Sequence, residues 1–362
     1  MKSRYIAMVV GGSVAMSTGL AALASQVPAL SQQDRTSIWK SAKELFRPLP
    51  KAAPNPANPA NPAKIELGKA LYFDTRLSKG NTVSCNSCHN IASYGVDNLP
   101  TSQGHKGAFG GRNSPTVMNA GLLEPQFWDG RAKDVEAQAQ GPIMNPVEMG
   151  MPHKDLALAR IGSIDEYRAL FRQAFPKEAN PLTYENIANA IGAFERTLIT
   201  PSRFDAYLKG NVKALNDQEA RGLRTFVSTG CVTCHSGATL GGNQFFKFGL
   251  VNGPYSKYTG KPNSDAGRYD LTKKEEDRDV FRTPTLRNVE RTYPYFHDGS
   301  VTDLGDAIRI MAKTQLGKDL NGQDVADIRA FLSTLTGQIP KEALVLPVLP
   351  KSGKATPLPD NS

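Results

Sequence analysis

The residues with the most distinctive chemistry form two short motifs, in each of which two cysteines separated by two residues are followed at once by histidine. They are Cys85-Asn86-Ser87-Cys88-His89 and Cys231-Val232-Thr233-Cys234-His235. Two thiols at this spacing can add across the vinyl groups of a haem, and the adjacent histidine then lies under the iron. The sequence therefore predicts two covalently bound c-type haems, held by Cys85, Cys88, Cys231 and Cys234, with His89 and His235 as proximal iron ligands.

Two other uses of such motifs fit less well. A structural zinc site needs four protein ligands, and neither motif has a second cysteine pair, because the chain contains only 4 cysteines. A redox-active cysteine pair does not need the adjacent histidine, which occurs both times. Haem attachment accounts for every cysteine and for both histidines.

The second iron ligand decides what each haem can do. After residue 151 the only methionine is Met311, on a predicted helix that begins near Thr302. Met311 is favoured as the ligand of the second haem, with His297 as the alternative, and methionine ligation raises the reduction potential, which suits electron entry. For the first haem the residues alone leave several candidates open, namely His105, Met144, Met149, Met151 and His153.

Two of these candidates predict opposite behaviour. Met151 lies 62 residues after His89, a spacing that suits a simple electron-carrying cytochrome. His105 lies in a glycine-rich loop over residues 102–107, and a ligand on such a loop can leave the iron and open a binding site.

The elements around the motifs are predicted to be helices that occur in two similar halves. Apolar residues at helical spacing indicate helices over 66–73, 187–198, 217–227 and 325–335, and no run of alternating strand residues stands out. The block 112–119 resembles 281–288, and 127–130 resembles 296–299, both at an offset of 169 residues. We therefore expect a mainly α fold of two tandem cytochrome c-like domains that arose by duplication, over residues 64–200 and 201–340.

The remaining segments are predicted to flank this pair of domains. Residues 1–24 have the form of a signal peptide, in which Lys2 and Arg4 precede an apolar run that ends at Ala22-Leu23-Ala24. The rival interpretation is an uncleaved anchor, since the run is nearly long enough to span a bilayer. Residues 25–63 form an N-terminal segment with a proline-rich linker, and 341–362 form an irregular tail. This organisation predicts a periplasmic protein that is soluble once the segment is cleaved.

The charge of the chain does not indicate a nucleic-acid-binding protein. The formal net charge is +9, and loss of residues 1–24 leaves +7, which the four propionates of two haems would reduce further. No run of lysine or arginine forms a basic patch of the kind that binds a phosphate backbone. A weak electrostatic attraction for an acidic protein partner is the most that the charge supports.

From about residue 64 to residue 337 the sequence resembles the bacterial di-haem cytochrome c peroxidases and, more distantly, their MauG-type relatives. The resemblance is strongest over 85–105, 112–131, 141–149 and 292–317. It implies that His105 is the releasable ligand of a low-potential first haem and that Met311 is the ligand of a high-potential second haem. MauG-type enzymes have tyrosine at the position of Met311, so methionine favours the peroxidase branch.

The resemblance also implies roles for six further residues. Glu148 matches the acid/base that acts on peroxide, Gln138 matches the amide beside it, and Trp128 matches a tryptophan between the haems. A calcium ion between the domains is implied at Asn113, Thr292 and Pro294, and oxygen ligands suit this cation.

The function that follows is reduction of hydrogen peroxide to water at the first haem. Electrons are expected to enter at the second haem from a small donor protein, either a c-type cytochrome or a blue-copper protein, and a homodimer is implied by the resemblance. The alternatives are a di-haem electron carrier without turnover, a MauG-like oxidase that modifies a protein side chain, and a peroxide sensor.

Overall fold

The computed structural model describes residues 29–260 and 265–360, so the predicted signal peptide, residues 1–24, lies outside the described residues. Most of the regular structure is helical, as the sequence predicts. The α-helices are α1 (Gln32–Leu45), α2 (Pro62–Phe73), α3 (Cys85–Cys88), α4 (Val135–Met144), α5 (Lys154–Gly162), α6 (Asp165–Ala174), α7 (Tyr184–Glu195), α8 (Arg203–Leu208), α9 (Asp217–Thr229), α10 (Ser256–Thr259), α11 (Tyr269–Thr272), α12 (Leu304–Leu316), α13 (Gly322–Ser333) and α14 (Lys341–Leu344).

One pair of short strands was not expected from the sequence. Strand β1 (Phe245–Lys247) pairs antiparallel with β2 (Val280–Arg282), and Phe246 lies opposite Phe281. Each strand has three residues, which is too short for an alternating pattern to emerge.

Local sequence explains where the helices before the two motifs begin. Asn61 caps α2 through a hydrogen bond from the Lys64 N–H, and Pro62 takes the first helical position, where its missing N–H does no harm. The proline-rich linker therefore ends by starting a helix. At α9 a capping box is present, with Asn216 and Glu219 each accepting a hydrogen bond from the other's backbone N–H.

Each half contains one close crossing of two helices, and the two crossings are of the same kind. Helix α2 crosses α7 at Gly68, where an added Cβ would lie 1.8 Å from the carbonyl oxygen of Ala190. Helix α9 crosses α13 at Gly222, where an added Cβ would lie 1.8 Å from the carbonyl oxygen of Asp327. Glycine therefore allows the two backbones to touch at both crossings.

Each crossing supports its own hydrophobic core. The predicted apolar faces of α7 and α13 are buried in the first and second core, respectively, with Leu198 and Leu335 just beyond the helix ends. The first core lies mainly within residues 64–200 and the second mainly within 201–340.

The terminal segments cover the opposite halves of the chain. Helix α1, which the sequence did not predict, places Ile38, Ala42 and Phe46 in the second core. The C-terminal tail is irregular apart from α14, yet it is anchored on the first half, because Arg76 and Arg160 donate hydrogen bonds to carbonyl oxygens of the tail at 2.8 Å. Across the described residues no helix is both long and apolar enough to cross a membrane.

Candidate haem centres

The second motif opens onto one large cavity. Helix α9 ends at Gly230, whose positive φ of 105° turns the chain into the motif. The cavity encloses about 1680 Å³ of empty space, counting its open mouth, and Cys231, Cys234, His235 and Met311 all line it. The structure thus brings both predicted attachment cysteines and both predicted iron ligands of the second haem to one cavity.

His235 has the state that an iron ligand needs. Its Nδ1 lies 3.0 Å from the carbonyl oxygen of Leu240, which leaves Nε2 free for a metal. Burial lowers the pKa of His235 to about 4, so the imidazole is neutral at pH 7. These residues fit a covalently attached haem.

The rival ligand, His297, is engaged elsewhere. Its Nε2 lies 3.1 Å from the hydroxyl oxygen of Tyr255, and its ring stacks on Phe281 with the centroids 4.0 Å apart. His297 is therefore held in an aromatic cluster by its ring and its Nε2, whereas Met311 packs against the same cluster as an apolar residue. The arrangement favours Met311 over His297.

The first motif forms the short helix α3, and it packs on α2. The hydroxyl of Tyr72 donates a hydrogen bond of 2.5 Å to the carbonyl oxygen of His89, which fixes the end of the motif. Burial lowers the pKa of His89 and raises that of both motif thiols, for Cys88 to about 11. The motif thus carries two half-buried thiols and a neutral histidine, the groups that covalent attachment and ligation of a haem require.

The loop that carries His105 is docked on the segment after α4. The backbone N–H of His105 donates a hydrogen bond of 2.7 Å to the carbonyl oxygen of Glu148. The imidazole lies against Gly150, where an added Cβ would approach the ring to 2.9 Å. His105 is thus buried at a single 3₁₀ turn (His105–Gly107), rather than solvated as a loop histidine often is.

Glu148 is positioned by the turn that ends α4. The Asn145 side-chain amide donates a hydrogen bond of 2.7 Å to Oε1 of Glu148, and Pro146 prevents the helix from continuing. Burial raises the pKa of Glu148, and the charge of Arg131 and the Asn145 hydrogen bond oppose this shift. The negative charge of Glu148 in turn contributes to raising the pKa of both Cys85 and Cys88, which places the carboxylate near the first motif.

Gln138 lies one helix turn into α4 and is half-buried. Within the described residues its side-chain amide has no hydrogen-bond partner, so both of its polar atoms are available to a small ligand.

The methionine candidates for the first haem are in the protein interior. Met149 and Met151 are 3% and 1% exposed and belong to the first hydrophobic core, against which the half-buried Met144 also packs. His153 is exposed, and its Nδ1 caps α5 by accepting a hydrogen bond from the Leu156 N–H. Among these candidates, His105 is the one whose backbone N–H donates a hydrogen bond to the carbonyl oxygen of Glu148.

The junction between the halves holds the remaining predicted residues. Trp128 belongs to the first half but lines the cavity of the second motif, and its Nε1 donates a hydrogen bond of 2.9 Å to the carbonyl oxygen of Asn113. Asn113, Thr292 and Pro294 line the same cavity. The structure therefore places the three predicted calcium-binding residues and the tryptophan on the wall of one cavity where the two halves meet.

Some residues of these sites were not found from the sequence. Asn145 orients Glu148, Gly150 makes room for the His105 ring, and Arg282 lines the cavity of the second motif. The only sequence clue to Asn145 and Gly150 is that they flank Glu148, and the role of each depends on a tertiary contact.

A mainly helical chain with two haem-attachment motifs, one beside a methionine and the other beside a loop histidine and a carboxylate, has the features of a di-haem c-type cytochrome. Residues 62–213 match the family model described as di-haem cytochrome c peroxidase. The chain is 48% identical over 332 residues to cytochrome c551 peroxidase of Pseudomonas aeruginosa, which covers 91% of this chain and 94% of that protein. The chain belongs to the di-haem cytochrome c peroxidase family.

Other similarities agree with this placement. The cytochrome c551 peroxidase of Nitrosomonas europaea is 45% identical, with 88% of this chain and 91% of that protein covered. The methylamine utilization protein MauG of Methylorubrum extorquens is more distant, at 34% identity over 95% of this chain and 96% of that protein. The crystal structure of a MauG-like protein associated with microbial copper homeostasis has a TM-score of 0.72 and 29% identity, and covers 83% of this chain and 97% of that one.

Proposed function

We propose that this chain reduces hydrogen peroxide to water at its first motif, using electrons that enter at its second motif. One contact supports this most directly, namely the 2.7 Å hydrogen bond by which the loop of His105 is docked on the backbone of Glu148. It supports the proposal that a releasable ligand and an acid/base act at the same site. The overall reaction takes one peroxide, two electrons and two protons to two waters.

The side chains at the first motif divide the work. When bound there, the haem supplies the iron at which the oxygen–oxygen bond breaks. Glu148 accepts the proton of the near peroxide oxygen and returns it to the far oxygen, which leaves as water. Gln138 orients the peroxide through its unpaired amide. His105 would be the releasable ligand of that haem, and its loop can move by breaking the backbone hydrogen bond to Glu148.

Steady-state oxidation of reduced cytochrome c by peroxide tests the role of Glu148. Removing a general acid/base is expected to lower the rate by about 10²–10⁴-fold, so Glu148→Gln should fall in that range. Glu166→Gln, on the exposed side of α6, is the matched control and should turn over like wild type. Normal turnover by the Glu148 variant contradicts the assignment.

The pH profile offers a second test of the same carboxyl. The Asn145 hydrogen bond lowers the pKa of Glu148, so its loss raises this pKa further. Because peroxide deprotonation needs the carboxylate form, Asn145→Ala should move the acid limb of the rate profile to higher pH. An unmoved acid limb would mean that another group controls it.

The second motif is proposed as the electron port, with Met311 on its iron. The donor is a small c-type cytochrome or blue-copper protein, and Trp128 lies on the path between the two centres. Trp128→Phe keeps an aromatic ring but loses the Nε1 hydrogen bond, and it should slow electron transfer between the haems in stopped-flow experiments while peroxide binding is retained. Equal transfer rates would assign Trp128 to packing alone.

Calcium is proposed at Asn113, Thr292 and Pro294, through the oxygen atoms that this cation prefers. Asn113→Ala keeps the backbone carbonyl that Trp128 uses, so the variant isolates the side chain. We expect it to need more calcium than wild type to give a high-spin first haem in the half-reduced protein. The same calcium dependence in both proteins would place the ion elsewhere.

A duplication of one cytochrome c-like unit, with domains over residues 64–200 and 201–340, is proposed from geometry that repeats in the two halves. Asn119 and Asn288, which are 169 residues apart, have positive φ angles of 62° and 63°. Their N–H groups donate to the carbonyl oxygens of Leu198 and Leu335 at 2.8 and 3.1 Å. The close helix crossing at a glycine also occurs in both halves, at Gly68 in the first and at Gly222 in the second.

The protein is further proposed to act in the periplasm after cleavage of residues 1–24, and to form a homodimer. N-terminal sequencing of the mature protein tests the first proposal, and sedimentation analysis tests the second.

A MauG-like oxidase is disfavoured because methionine stands at position 311, and an electron carrier is disfavoured by the carboxylate beside His105.

A further inference from the structure

Arg282 lies in β2 with its guanidinium group buried at the junction of the two halves. The residue is 5% exposed. Its Nε donates a hydrogen bond to the carbonyl oxygen of Phe127 in the first half, and its Nη1 donates to that of Gly242 in the second, both at 3.1 Å. The side chain is therefore fixed by the backbone on both sides.

No carboxylate of the described residues balances this charge. Other buried arginines have one, for example Arg287 with Asp205 at 2.8 Å and Arg196 with Glu136 at 2.8 Å. The exception is Arg160, which donates to backbone carbonyl oxygens and to Asn81. Burial alone lowers the pKa of Arg282 to about 10, with no acidic group opposing the shift. A buried cation without a counter-charge is unfavourable, so an anion bound at this place would stabilise the folded chain.

The place where such an anion can bind is the cavity of the second motif. Arg282 lines this cavity, and its Nη2 has no hydrogen-bond acceptor within the described part of the chain. Among the described residues that line the cavity, no other is an arginine or lysine and none is an aspartate or glutamate. The described side chains of the wall thus present one positive charge in otherwise apolar and neutral surroundings.

We propose that Arg282 binds a carboxylate of the prosthetic group, a propionate of the haem attached at Cys231 and Cys234. This inference rests on the proposed haem attachment at the second motif. A guanidinium group matches a carboxylate in geometry as well as in charge, and the apolar wall would strengthen their attraction. The propionate in turn supplies the counter-charge that Arg282 lacks.

The charge of Arg282 also affects the redox chemistry of this haem. A positive charge that neutralises a propionate makes the ferric, more positive state of the iron less stable relative to the ferrous state. Arg282 therefore raises the reduction potential of the second haem, in the direction that methionine ligation already sets. Its backbone N–H donates a hydrogen bond of 2.7 Å to the carbonyl oxygen of Trp128, which ties this charge to the tryptophan at the junction.

Spectropotentiometric titration of both haems in the full holoprotein tests the proposal. Arg282→Gln should lower the midpoint potential of the second haem by at least about 59 mV, which is a tenfold change in the equilibrium constant of a one-electron couple. Arg282→Lys keeps the charge and should recover most of the shift. The matched control is Arg268→Gln, because Arg268 also donates to a junction carbonyl, that of Asp129 at 2.9 Å, but does not line the cavity.

A second readout separates a bound propionate from a general effect of charge. A propionate left unpaired in an apolar cavity has a raised pKa. The midpoint potential of the second haem should therefore become pH-dependent near neutrality in Arg282→Gln and stay flat in Arg268→Gln.

The outcomes that overturn the inference are distinct. If Arg282→Gln carries both haems and the midpoint potential of the second haem is unchanged, the inference is overturned and the proposed function stays intact. If the glutamine variant does not fold, the Arg282→Lys protein takes its place. A folded Arg282→Lys protein in which the midpoint potential of the second haem is lowered by about 59 mV or more also overturns the inference. A wild-type chain whose haem count shows no haem at the second motif overturns this inference together with the proposed haem attachment.

Discussion

Glu195 ends helix α7 with its carboxyl group in the interior of the first half. The residue is 4% exposed, and its side chain has no hydrogen-bond partner among the described residues. Burial raises its pKa to about 8, and the nearby charge of Glu136 raises it as well, whereas Arg196 opposes the shift. At pH 7 most of this carboxyl is therefore protonated.

The sign of the resulting pH dependence follows from linkage. The folded chain holds the proton of Glu195 up to about pH 8, whereas the unfolded chain releases it near the ordinary value of 4.5. The associated stability is complete below the unfolded pKa and is lost as the pH rises through the folded pKa. At about 1.36 kcal/mol per pKa unit, the total is about 5 kcal/mol, of which about 3 kcal/mol is lost between pH 6 and pH 9.

Glu195→Gln keeps the shape of the side chain and removes the titration. Denaturant unfolding of the holoprotein at pH 6 and pH 9 measures the effect. The difference in unfolding free energy between variant and wild type should shift in favour of the variant by about 3 kcal/mol over this range. Glu185→Gln, at the exposed start of the same helix, is the matched control and should show a difference that changes little with pH. A pH-independent difference for Glu195→Gln would refute the reasoning.

Two further predictions concern the packing of the second half. Gly222→Ala places a methyl group 1.8 Å from the Asp327 carbonyl oxygen and should lower the unfolding free energy by about 3 kcal/mol or more, as measured by denaturant unfolding. Gly322→Ala, with nothing within 4 Å of the new Cβ, should be close to neutral, and equal losses in the two variants would contradict the crossing. Asp205→Asn leaves the buried Arg287 without its counter-charge and should cost about 3–5 kcal/mol in the same assay, so a loss below 1 kcal/mol would show that the pair is not needed.

The helices around the motifs could be predicted because they obey local rules. The predicted apolar face of α13, for example, is buried from Val325 to Leu335. Helix α1 was missed because it contributes only a few apolar residues, and these pack on the second core far along the chain. The strand pair was missed because its two partners are separated by a long excursion and each has only three residues.

The candidate site likewise has one part that could be predicted from the sequence and one part that could not. The haem motifs are chemically specified, and family resemblance carries the proposed roles of His105, Glu148 and Met311. Contacts between distant segments could not be predicted. Trp128 follows the first motif in the chain, yet it lines the cavity of the second. The sequence gives no sign that Arg282 lacks a counter-charge, because this depends on which distant residues line the cavity with it.

The difference between the two halves can be followed down to single positions on a shared framework. Leu198 and Leu335 hold equivalent places, since each accepts a hydrogen bond from an asparagine with a positive φ angle. Three residues earlier in each half stand Glu195 and Leu332, and Leu332 lines the cavity of the second motif. At the corresponding position the first half therefore has a buried carboxyl, whose charge contributes to raising the pKa of Cys85, where the second half has leucine. Leucine at this position keeps the wall of the second cavity apolar, whereas the carboxyl of Glu195 gives the first half a buried group that can hold a proton.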